Sequence, residues 1–505
     1  MNFPYLSTIL FLPALGALIV ALWPSPSAKT TKVTALIAAL VAFIVSLVVF
    51  MLYDKSSFAV GNIQFAERTL WIPGIKSYYY LGVDGLSLPM LILTTFIGVI
   101  AVLVSWRINL RLKEYFAWIL LLETGILGVF ISLDLLVFFL FWEVELIPMF
   151  MLISVWGSGR KEYSATKFVL YTLVGSALML TGILLLYFNV GSAPFMAGKS
   201  PLDMVALSQA NLAARGIQLL PVIFILIMMA FIVKLPVFPF HTWLPDAHTD
   251  APTAVSVILA GVLLKMGGYG MIRIGVGIFP EAARMFAPVF VVLAVVNTLY
   301  GAAITMRQTD LKRMIAYSSV SHMGYVLLGI FALTQLSLTG ATLQMFSHGI
   351  VTGLLFSMVG LVYEKTHTRD LNKLGGLART MPVIVVVFSI AGLASLGLPS
   401  TSGFIAEFTV FLGSFTSKAF EGVRLLTILG VAGIALTAGY ILWMLQRVFY
   451  GPPQDAYAKI PDATPIEMVP IFALVVAIML VGICPAILTD IIKVGILPIS
   501  KAIGL

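Results

Sequence analysis

The sequence is poor in charged residues and in cysteine, and each shortage excludes a class of protein. Only 10% of its 505 residues are Asp, Glu, Lys or Arg, whereas soluble globular chains have roughly 25%. A soluble fold is therefore excluded. Cys484 is the only cysteine, so there is neither a disulfide framework nor a cysteine metal site. Phosphate-binding Gly-rich loops, CxxC pairs and dinucleotide fingerprints are also missing, which indicates that redox chemistry lies elsewhere.

What the sequence has instead is a series of apolar runs of about twenty residues, each long enough to cross roughly 30 Å of hydrocarbon. They predict an all-α integral membrane protein with fourteen transmembrane helices in one domain, residues 1–505. The first run lacks a basic start and a cleavage site, so it is interpreted as a retained helix. The predicted spans are 3–22, 32–53, 86–106, 114–132, 134–156, 165–189, 218–245, 254–275, 284–305, 311–331, 340–362, 382–415, 424–449 and 468–491.

Two of these spans, 218–245 and 382–415, are too long for one straight helix and contain Pro and Gly. They lie five spans apart, and an odd offset inverts the second unit relative to the first. Interrupted hydrophobic segments at matching places in two halves of a chain indicate a transport site at their interface. Two unrelated kinks remain the alternative interpretation.

Lysine and arginine are distributed unevenly between alternate loops. The odd-numbered loops have 17 of them, and the even-numbered loops with the tail have 11. Basic loops stay on the cytoplasmic side of a membrane. This bias predicts that both chain ends lie on the periplasmic side of a bacterial inner membrane. The net charge of +8 therefore reflects topology, and a nucleic-acid surface is not expected.

Several ionisable residues lie inside the spans, where each costs roughly 2.5–3.5 kcal/mol on insertion scales. Two of them, Glu143 and Glu145, are two residues apart in the fifth span. At about 100° per residue they point to nearly opposite faces, so they do not form an acid–base dyad. Because Glu143 is farther from the Pro148 break, it is preferred as the core-facing group. Glu145 is then a helix-packing contact.

The first interrupted span places Lys234 directly before two prolines. Pro236 and Pro239 have no N–H group, so the carbonyls of Ile232 and Leu235 lose their helical partners. Freed carbonyls are tolerated in a bilayer only beside protein or water. Lys234 is therefore predicted to be a group whose charge state responds to its surroundings, and a lysine that reaches the surface is the alternative.

Four further residues complete a row of candidates for proton transfer. Lys265 lies among small residues that let helices approach closely, although a static ion pair there is the alternative. His322 and His348 occupy consecutive spans, and histidine changes charge near neutral pH. Packing is the usual role of any single buried histidine. Glu407 follows the second interruption and is the expected last group of the row.

Some polar residues allow more than one interpretation. Glu123 is a weaker candidate, and a protonated buried carboxyl is an equally good interpretation. The bend from His241 to His248 is either a proton mouth or a rigid loop. Two intramembrane histidines are also typical of an axially bound haem, but the buried Lys and Glu groups argue against it.

At this point the sequence resembles a known family, the antiporter-like subunits of respiratory complex I. The resemblance extends from Asp84 to the thirteenth span. Most members of the family have lysine at the position of Glu407, whereas the M-type subunit (subunit 4) has glutamate. Glu407 and the lack of a long C-terminal lateral helix therefore favour the M-type subunit. The matching motifs are WEVELIP at 142–148, VKLPVFPFHTWLPDAH at 233–248, LLKMGGY at 263–269 and LKRMIAYSSVSHMG at 311–324.

The resemblance implies helices 1–3 at 1–106, a first five-helix repeat at 114–275, a second, inverted repeat at 284–449 and a C-terminal helix 14 at 468–505. It also implies broken seventh and twelfth helices. By the same resemblance, Glu143 pairs with Lys234, and protons pass through Lys265, His322 and His348 to Glu407.

The function that the resemblance implies is proton translocation in NADH:quinone oxidoreductase, driven by quinone reduction in other subunits. Expected partners are the L-type and N-type subunits and the bilayer. This chain is expected to hold no cofactor, whereas FMN, iron–sulfur clusters and quinone belong to partner subunits. A subunit of a sodium/proton antiporter and a purely structural spacer are the alternatives, and the electron donor, NADH or ferredoxin, stays open.

Overall fold

The fold is known from a computed structural model that describes residues 3–24, 27–56, 63–191, 193–196, 198–217 and 219–504. Gln218, at the start of the predicted seventh span, and the chain ends at 1–2 and 505 lie outside these ranges. The first half contains the elements α1 Tyr5–Leu22, α2 Ala28–Leu52, β1 Gln64–Ile72, β2 Ser77–Val83, α3 Ser87–Val104, α4 Leu112–Ile131, α5 Leu135–Val144, α6 Leu146–Trp156, α7 Lys161–Val190, α8 Met204–Ser208, α9 Leu220–Lys234 and α10 Trp243–Asp250.

The second half continues as helices from end to end of the described residues. Its elements are α11 Thr253–Ile258, α12 Leu264–Gly270, α13 Pro280–Met306, α14 Leu311–Phe331, α15 Gln335–Thr366, α16 Pro382–Ser395, α17 Ser402–Phe415, α18 Val423–Phe449, α19 Pro465–Ile483 and α20 Ala486–Ala502.

Within the described ranges, twelve helical stretches are long and apolar enough to cross a membrane. The helix pairs α9/α10 and α16/α17 form two further, interrupted crossings at the positions where proline and glycine predicted them. The nearly all-helical fold is thereby confirmed, and the two interrupted pairs bring the number of such segments to the predicted fourteen. Among them, 253–276 is fully enclosed, whereas only about a third of the residues in the α2 and α19 spans are buried.

The first interruption is stabilised by hydrogen bonds that replace the helical ones. The Ile232 carbonyl, which the prolines free from helical pairing, accepts from the amide of Val237 (3.0 Å). The Val233 carbonyl accepts from the indole of Trp243 (2.9 Å). The amide of Phe238 donates to the side chain of Asn297 (2.9 Å). Protein groups therefore satisfy the freed backbone, as a bilayer requires.

The eighth crossing, 253–276, is not a plain α-helix. A π-helical turn over Leu259–Leu263 joins α11 to α12, and a second π-helical turn over Met271–Val276 follows α12. Each π turn contains one more residue than an α turn. Lys265 lies in the short α-helical stretch between them.

A β-hairpin between α2 and α3 is an element that the spans did not predict. Strands β1 and β2 are antiparallel, with Arg68 opposite Tyr80. The Arg68 guanidinium lies 4.4 Å from the centre of the Tyr78 ring and pairs with Asp203 (2.9 Å). Asp134 accepts from Tyr78 N (3.0 Å) and also caps α5, so the hairpin is fixed on the helical bundle.

The predicted last span, 468–491, is wrong in its C-terminal part. Helix α19 ends at Ile483, and α20 begins at Ala486 after a turn. Pro485 causes the break because it has no N–H group and restricts the backbone of Cys484. Helix α20 packs so closely on the start of α3 that a Cβ on Gly85 would lie 1.9 Å from the Ile491 carbonyl oxygen.

Candidate functional site

The core of the bundle contains an ion pair between Lys234 and Glu145. Lys234 is the last residue of α9, and its ammonium group donates to the Glu145 carboxylate. Both side chains are completely buried. The Lys234 ammonium also lies 5.3 Å from the ring centres of Trp142 and Phe168, where the ring quadrupoles favour a cation.

The preference for Glu143 as the partner of Lys234 is therefore wrong, and the reason is the rotation of the fifth crossing. Glu143 lies half-buried on the stripe that includes the exposed Leu140 and Ile147. Glu145 lies on the opposite, buried stripe. The buried stripe could have been found in the sequence from its steps of four and three residues, through Phe138, Trp142, Glu145, Met149 and Leu152.

Glu145 reaches its position because the helix is interrupted there and because the neighbouring helix α4 has a glycine at the point of contact. Helix α5 ends at Val144 and α6 begins at Leu146, and Pro148 removes the amide that would bond the Val144 carbonyl. A Cβ on Gly125 of α4 would lie 3.1 Å from the Glu145 amide nitrogen. Glycine at this place therefore lets the kinked backbone approach α4.

A second buried group pairs Lys265 with His348. The Lys265 Nζ lies 2.8 Å from Nδ1 of His348 and also donates to the Ala260 carbonyl. Helix α12 packs directly on the end of α9, since a Cβ on Gly267 would lie 2.7 Å from the Leu235 amide nitrogen. The helix containing Lys265 and the helix ending at Lys234 are therefore in backbone contact.

The third group connects His322 with Glu407. The Nδ1 atom of His322 lies 3.2 Å from the Glu407 carboxylate, and Ser395 lies 3.2 Å from the other ring nitrogen. The His322 and His348 rings are 5.7 Å apart between centres. A cavity of about 10 Å³ is lined by both histidines and Glu407, which is about the space of one water molecule.

This geometry brings together five of the six predicted residues. Lys234 belongs to the first pair, Lys265 and His348 form the second, and His322 and Glu407 form the third, whereas Glu143 is left out and Glu145 takes its place. If each side chain accepts a proton from one neighbour and donates a proton to the next, such a row can transfer protons through the core. Histidine is suited to this because its two nitrogens accept and donate in turn.

The 10 Å³ cavity does not suit a haem between the histidines, since sites for organic groups measure hundreds of cubic ångströms. Among the described residues, no cluster of three or more His, Cys, Asp or Glu side chains is placed to hold a metal ion.

Two further polar residues outside the row, Glu123 and His241, are also buried. Glu123 of α4 is buried, neither carboxyl oxygen has a hydrogen-bond partner, and the group packs against Gly98 of α3. His241 is buried in the bend after Lys234, with its ring 5.2 Å from that of Tyr300.

The sequence profile of the family described as NADH:quinone oxidoreductase/Mrp antiporter, TM, matches residues 132–437. NAD(P)H-quinone oxidoreductase chain 4 1 of Synechococcus sp. (strain JA-2-3B'a(2-13)) is 42% identical over 504 residues, covering 97% of this chain and 91% of the relative. Chain 4 of Gloeobacter violaceus (strain ATCC 29082 / PCC 7421) is 42% identical over 495 residues, with 97% and 91% covered.

Solved structures agree with this sequence similarity. A chain of respiratory complex I from Thermus thermophilus with bound NADH superposes with a TM-score of 0.85 at 26% identity, covering 99% of this chain and 100% of that one. A chain of the Mrp complex from Dietzia sp. DQ12-45-1b shares the fold, with a TM-score of 0.84 at 22% identity and full coverage of both. The chain belongs to the family of NADH:quinone oxidoreductase/Mrp antiporter transmembrane subunits.

Proposed function

We propose that this chain is the antiporter-like, proton-translocating M-type (chain 4) subunit in the membrane arm of a quinone-reducing complex of the complex I type. The observation that carries the proposal is the buried row from Glu145 to Glu407. It consists of three contacting pairs, Glu145–Lys234, Lys265–His348 and His322–Glu407. The chain 4 relatives, which align over nearly the whole chain, support the assignment to this subunit type.

The mechanism we infer is electrostatic. When a charge change in a neighbouring subunit separates Glu145 from Lys234, the Lys234 ammonium is left buried without its counter-ion, which favours release of its proton. That proton moves toward Lys265 and His348, and then through His322 to Glu407. The energy comes from quinone reduction in partner subunits, which would hold FMN, iron–sulfur clusters and quinone.

The expected surroundings follow from the same proposal. The L-type and N-type subunits are the expected neighbours in a bacterial inner membrane, and both chain ends lie on the periplasmic side. The face of the bundle that contains loops 105–111 and 367–381 is then cytoplasmic, and it is called the basic face below. Its loops belong to the odd-numbered set that is richer in lysine and arginine.

The second candidate function is a subunit of a stand-alone sodium/proton antiporter, which the shared fold of the Mrp chain favours. Affinity purification of the tagged chain separates the two candidates. Copurification of a flavin- and iron–sulfur-containing arm supports the first proposal. A complex without any redox arm that exchanges sodium for protons contradicts it.

Measuring proton translocation distinguishes the proposed function from a purely structural spacer. In inverted membrane vesicles, Glu145→Gln and Glu407→Gln are expected to lower proton translocation driven by quinone reduction, measured per amount of assembled complex. Unchanged translocation in both variants would leave only the spacer role.

A further inference from the structure

Asn297 of α13 connects two parts of the row that lie far apart in the sequence. Its side chain is completely buried. The side-chain oxygen accepts from the amide of Phe238 (2.9 Å), and the side-chain nitrogen donates to the Val320 carbonyl (2.9 Å). Phe238 is four residues after Lys234, and Val320 is two residues before His322. One side-chain amide therefore contacts both the bend after Lys234 and the helix that contains His322.

The bond from Phe238 replaces a helical bond that is lost at the first interruption. In a continuous helix, the Phe238 amide would donate to the Lys234 carbonyl, four residues earlier. At the interruption it donates to Asn297 instead. The Phe238 ring also packs edge-on against the ring of Tyr300, which lies one turn after Asn297 (5.0 Å between ring centres). The bend is thus fixed on α13 by its backbone and by a side chain.

Helices α13 and α14 are in backbone contact around Asn297. A Cβ on Gly301 would lie 2.7 Å from the Ser321 amide nitrogen, and a Cβ on Gly324 would lie 2.9 Å from the Thr298 amide nitrogen. The Ser321 hydroxyl also donates to the Thr298 carbonyl (2.9 Å). Small residues let helices approach this closely. The two helices therefore form one rigid unit, and a group that is fixed on α13 keeps its distance from α14.

Helix α10, which follows the bend, is also held at its other end. There the Thr249 carbonyl accepts from Arg369 (2.7 Å), in the loop 367–381 of the basic face. Asn297 holds the end of the bend that is nearer to Lys234. The second half of the interrupted crossing is therefore tied at both ends to elements of the second repeat.

The two bonds of Asn297 require a donor and an acceptor on one short side chain. The Phe238 amide needs an acceptor, and the Val320 carbonyl needs a donor. An asparagine side chain supplies one of each, whereas an ionised carboxylate has acceptors only. A leucine of similar shape has neither. The chemistry of the amide, and not merely its size, thus accounts for asparagine at this position.

We propose that Asn297 is a positioning residue for proton transfer, which holds the bend after Lys234 and the α14 segment with His322 in one fixed relation. The proposal rests on the proposed function. When Lys234 separates from Glu145, a displacement of the bend reaches α14 through the Asn297 amide. The contact between His322 and Glu407 then changes together with the first pair, so the two ends of the row respond to the same event.

Asn297→Leu tests the proposal because it keeps the approximate shape of the side chain and removes both hydrogen bonds. The rate of proton translocation in inverted vesicles, per amount of assembled complex, should fall about tenfold, since a misplacement of about 1 Å can cost roughly 100-fold. The matched control is Thr305→Val in the same helix. Thr305 is equally buried, but its hydroxyl donates only to the Gly301 carbonyl of its own helix (2.7 Å). The control should translocate at the wild-type rate, and a wild-type rate in Asn297→Leu overturns the proposal.

Asn297→Asp separates a positioning role from a role in packing. A protonated aspartic acid has one donor and further acceptors, so it can make both bonds, whereas the carboxylate cannot donate to the Val320 carbonyl. Relative to wild type at the same pH, Asn297→Asp should translocate at pH 6 at least about threefold faster than Asn297→Leu. A rate at pH 6 no higher than that of Asn297→Leu overturns the proposal.

The two proposals fail differently. If Glu145→Gln and Glu407→Gln lower translocation while Asn297→Leu leaves it intact, the positioning role is wrong and the proposed function stands. If all three variants translocate normally, the proposed function itself is wrong.

Discussion

Lys265 and His348 share a hydrogen bond of 2.8 Å between Nζ and Nδ1. A charged ammonium has only donors, so Nδ1 of His348 accepts, and the ring is then neutral with its proton on Nε2. The same contact in reverse is a protonated ring donating to a neutral amine. One proton can therefore occupy either side of the contact without movement of heavy atoms.

Lys265→Arg should stop proton translocation although it keeps the positive charge. A guanidinium does not release its proton in proteins, so the shared proton can no longer change sides. The measurement is acidification of inverted vesicles per quinone reduced. Lys32→Arg, at a lysine that lies on α2 and donates to Asn109, is the matched exchange and should have no effect. Full translocation in Lys265→Arg would mean that this lysine serves only as a fixed charge.

Glu145→Gln should lower translocation more than Glu143→Gln. The first change leaves Lys234 buried without its counter-ion, and breaking such a pair costs about 3–5 kcal/mol. The second change affects a half-buried side chain outside the pair. Translocation and the amount of assembled complex are measured for both variants. A larger loss in Glu143→Gln would restore Glu143 as the working carboxylate.

Gly403→Ala should separate the two halves of the twelfth crossing. Its Cβ would lie 2.1 Å from the Ala394 carbonyl oxygen, and overpacking of this kind costs about 1–3 kcal/mol. Glu407, one turn further on, should then move away from His322. The expected result is a lower melting temperature together with reduced translocation.

The matched control for that change is Gly439→Ala in α18, where the Cβ would meet one methyl group at 3.9 Å. It should melt at or above the wild-type temperature, since alanine favours a helix over glycine. Equal melting temperatures of the two variants would show that the interrupted helix tolerates a side chain at Gly403.

Gly98→Ala should destabilise the protein through Glu123. The added Cβ would lie 2.4 Å from the carboxyl carbon of Glu123. Glu123→Ala removes that group, so the double variant Gly98→Ala/Glu123→Ala should recover part of the stability that Gly98→Ala loses. Thermal unfolding of the three variants gives the coupling between the sites. Strictly additive losses would argue that the two residues do not touch.

The depth of the charged groups in the membrane could be predicted from sequence because it follows from their positions within the apolar runs. Lys234 and Lys265 lie in apolar runs, and the two prolines that closely follow Lys234 predict an interrupted helix. The predictions for both interrupted crossings agree with α9/α10 and α16/α17. Their physical basis is local, since paired prolines and a nearby glycine remove helical hydrogen bonds within a single segment of the chain.

The contacts of each group could not be predicted in the same way. The apolar stripe that contains Glu145 is visible in the sequence, but its close approach to Gly125 of α4 is a contact between two helices that hydrophobicity does not encode. The hairpin at Gln64–Val83 was missed because its stability comes from Asp134 and Asp203, far along the chain. Helix α20 was missed because hydrophobicity continues through Pro485, and the length of the apolar run concealed the break.

The π-helical turns on either side of Lys265 also affect how this sequence should be aligned with those of its relatives. Each turn adds one residue to the helix without lengthening its route through the bundle by a full turn. A relative whose eighth helix is a regular α-helix must therefore align with a one-residue gap at Leu259–Leu263 or Met271–Val276. A gap placed on the wrong side of the lysine shifts it by about 100° around the helix, and the residue of a relative that corresponds to Lys265 would then be misidentified.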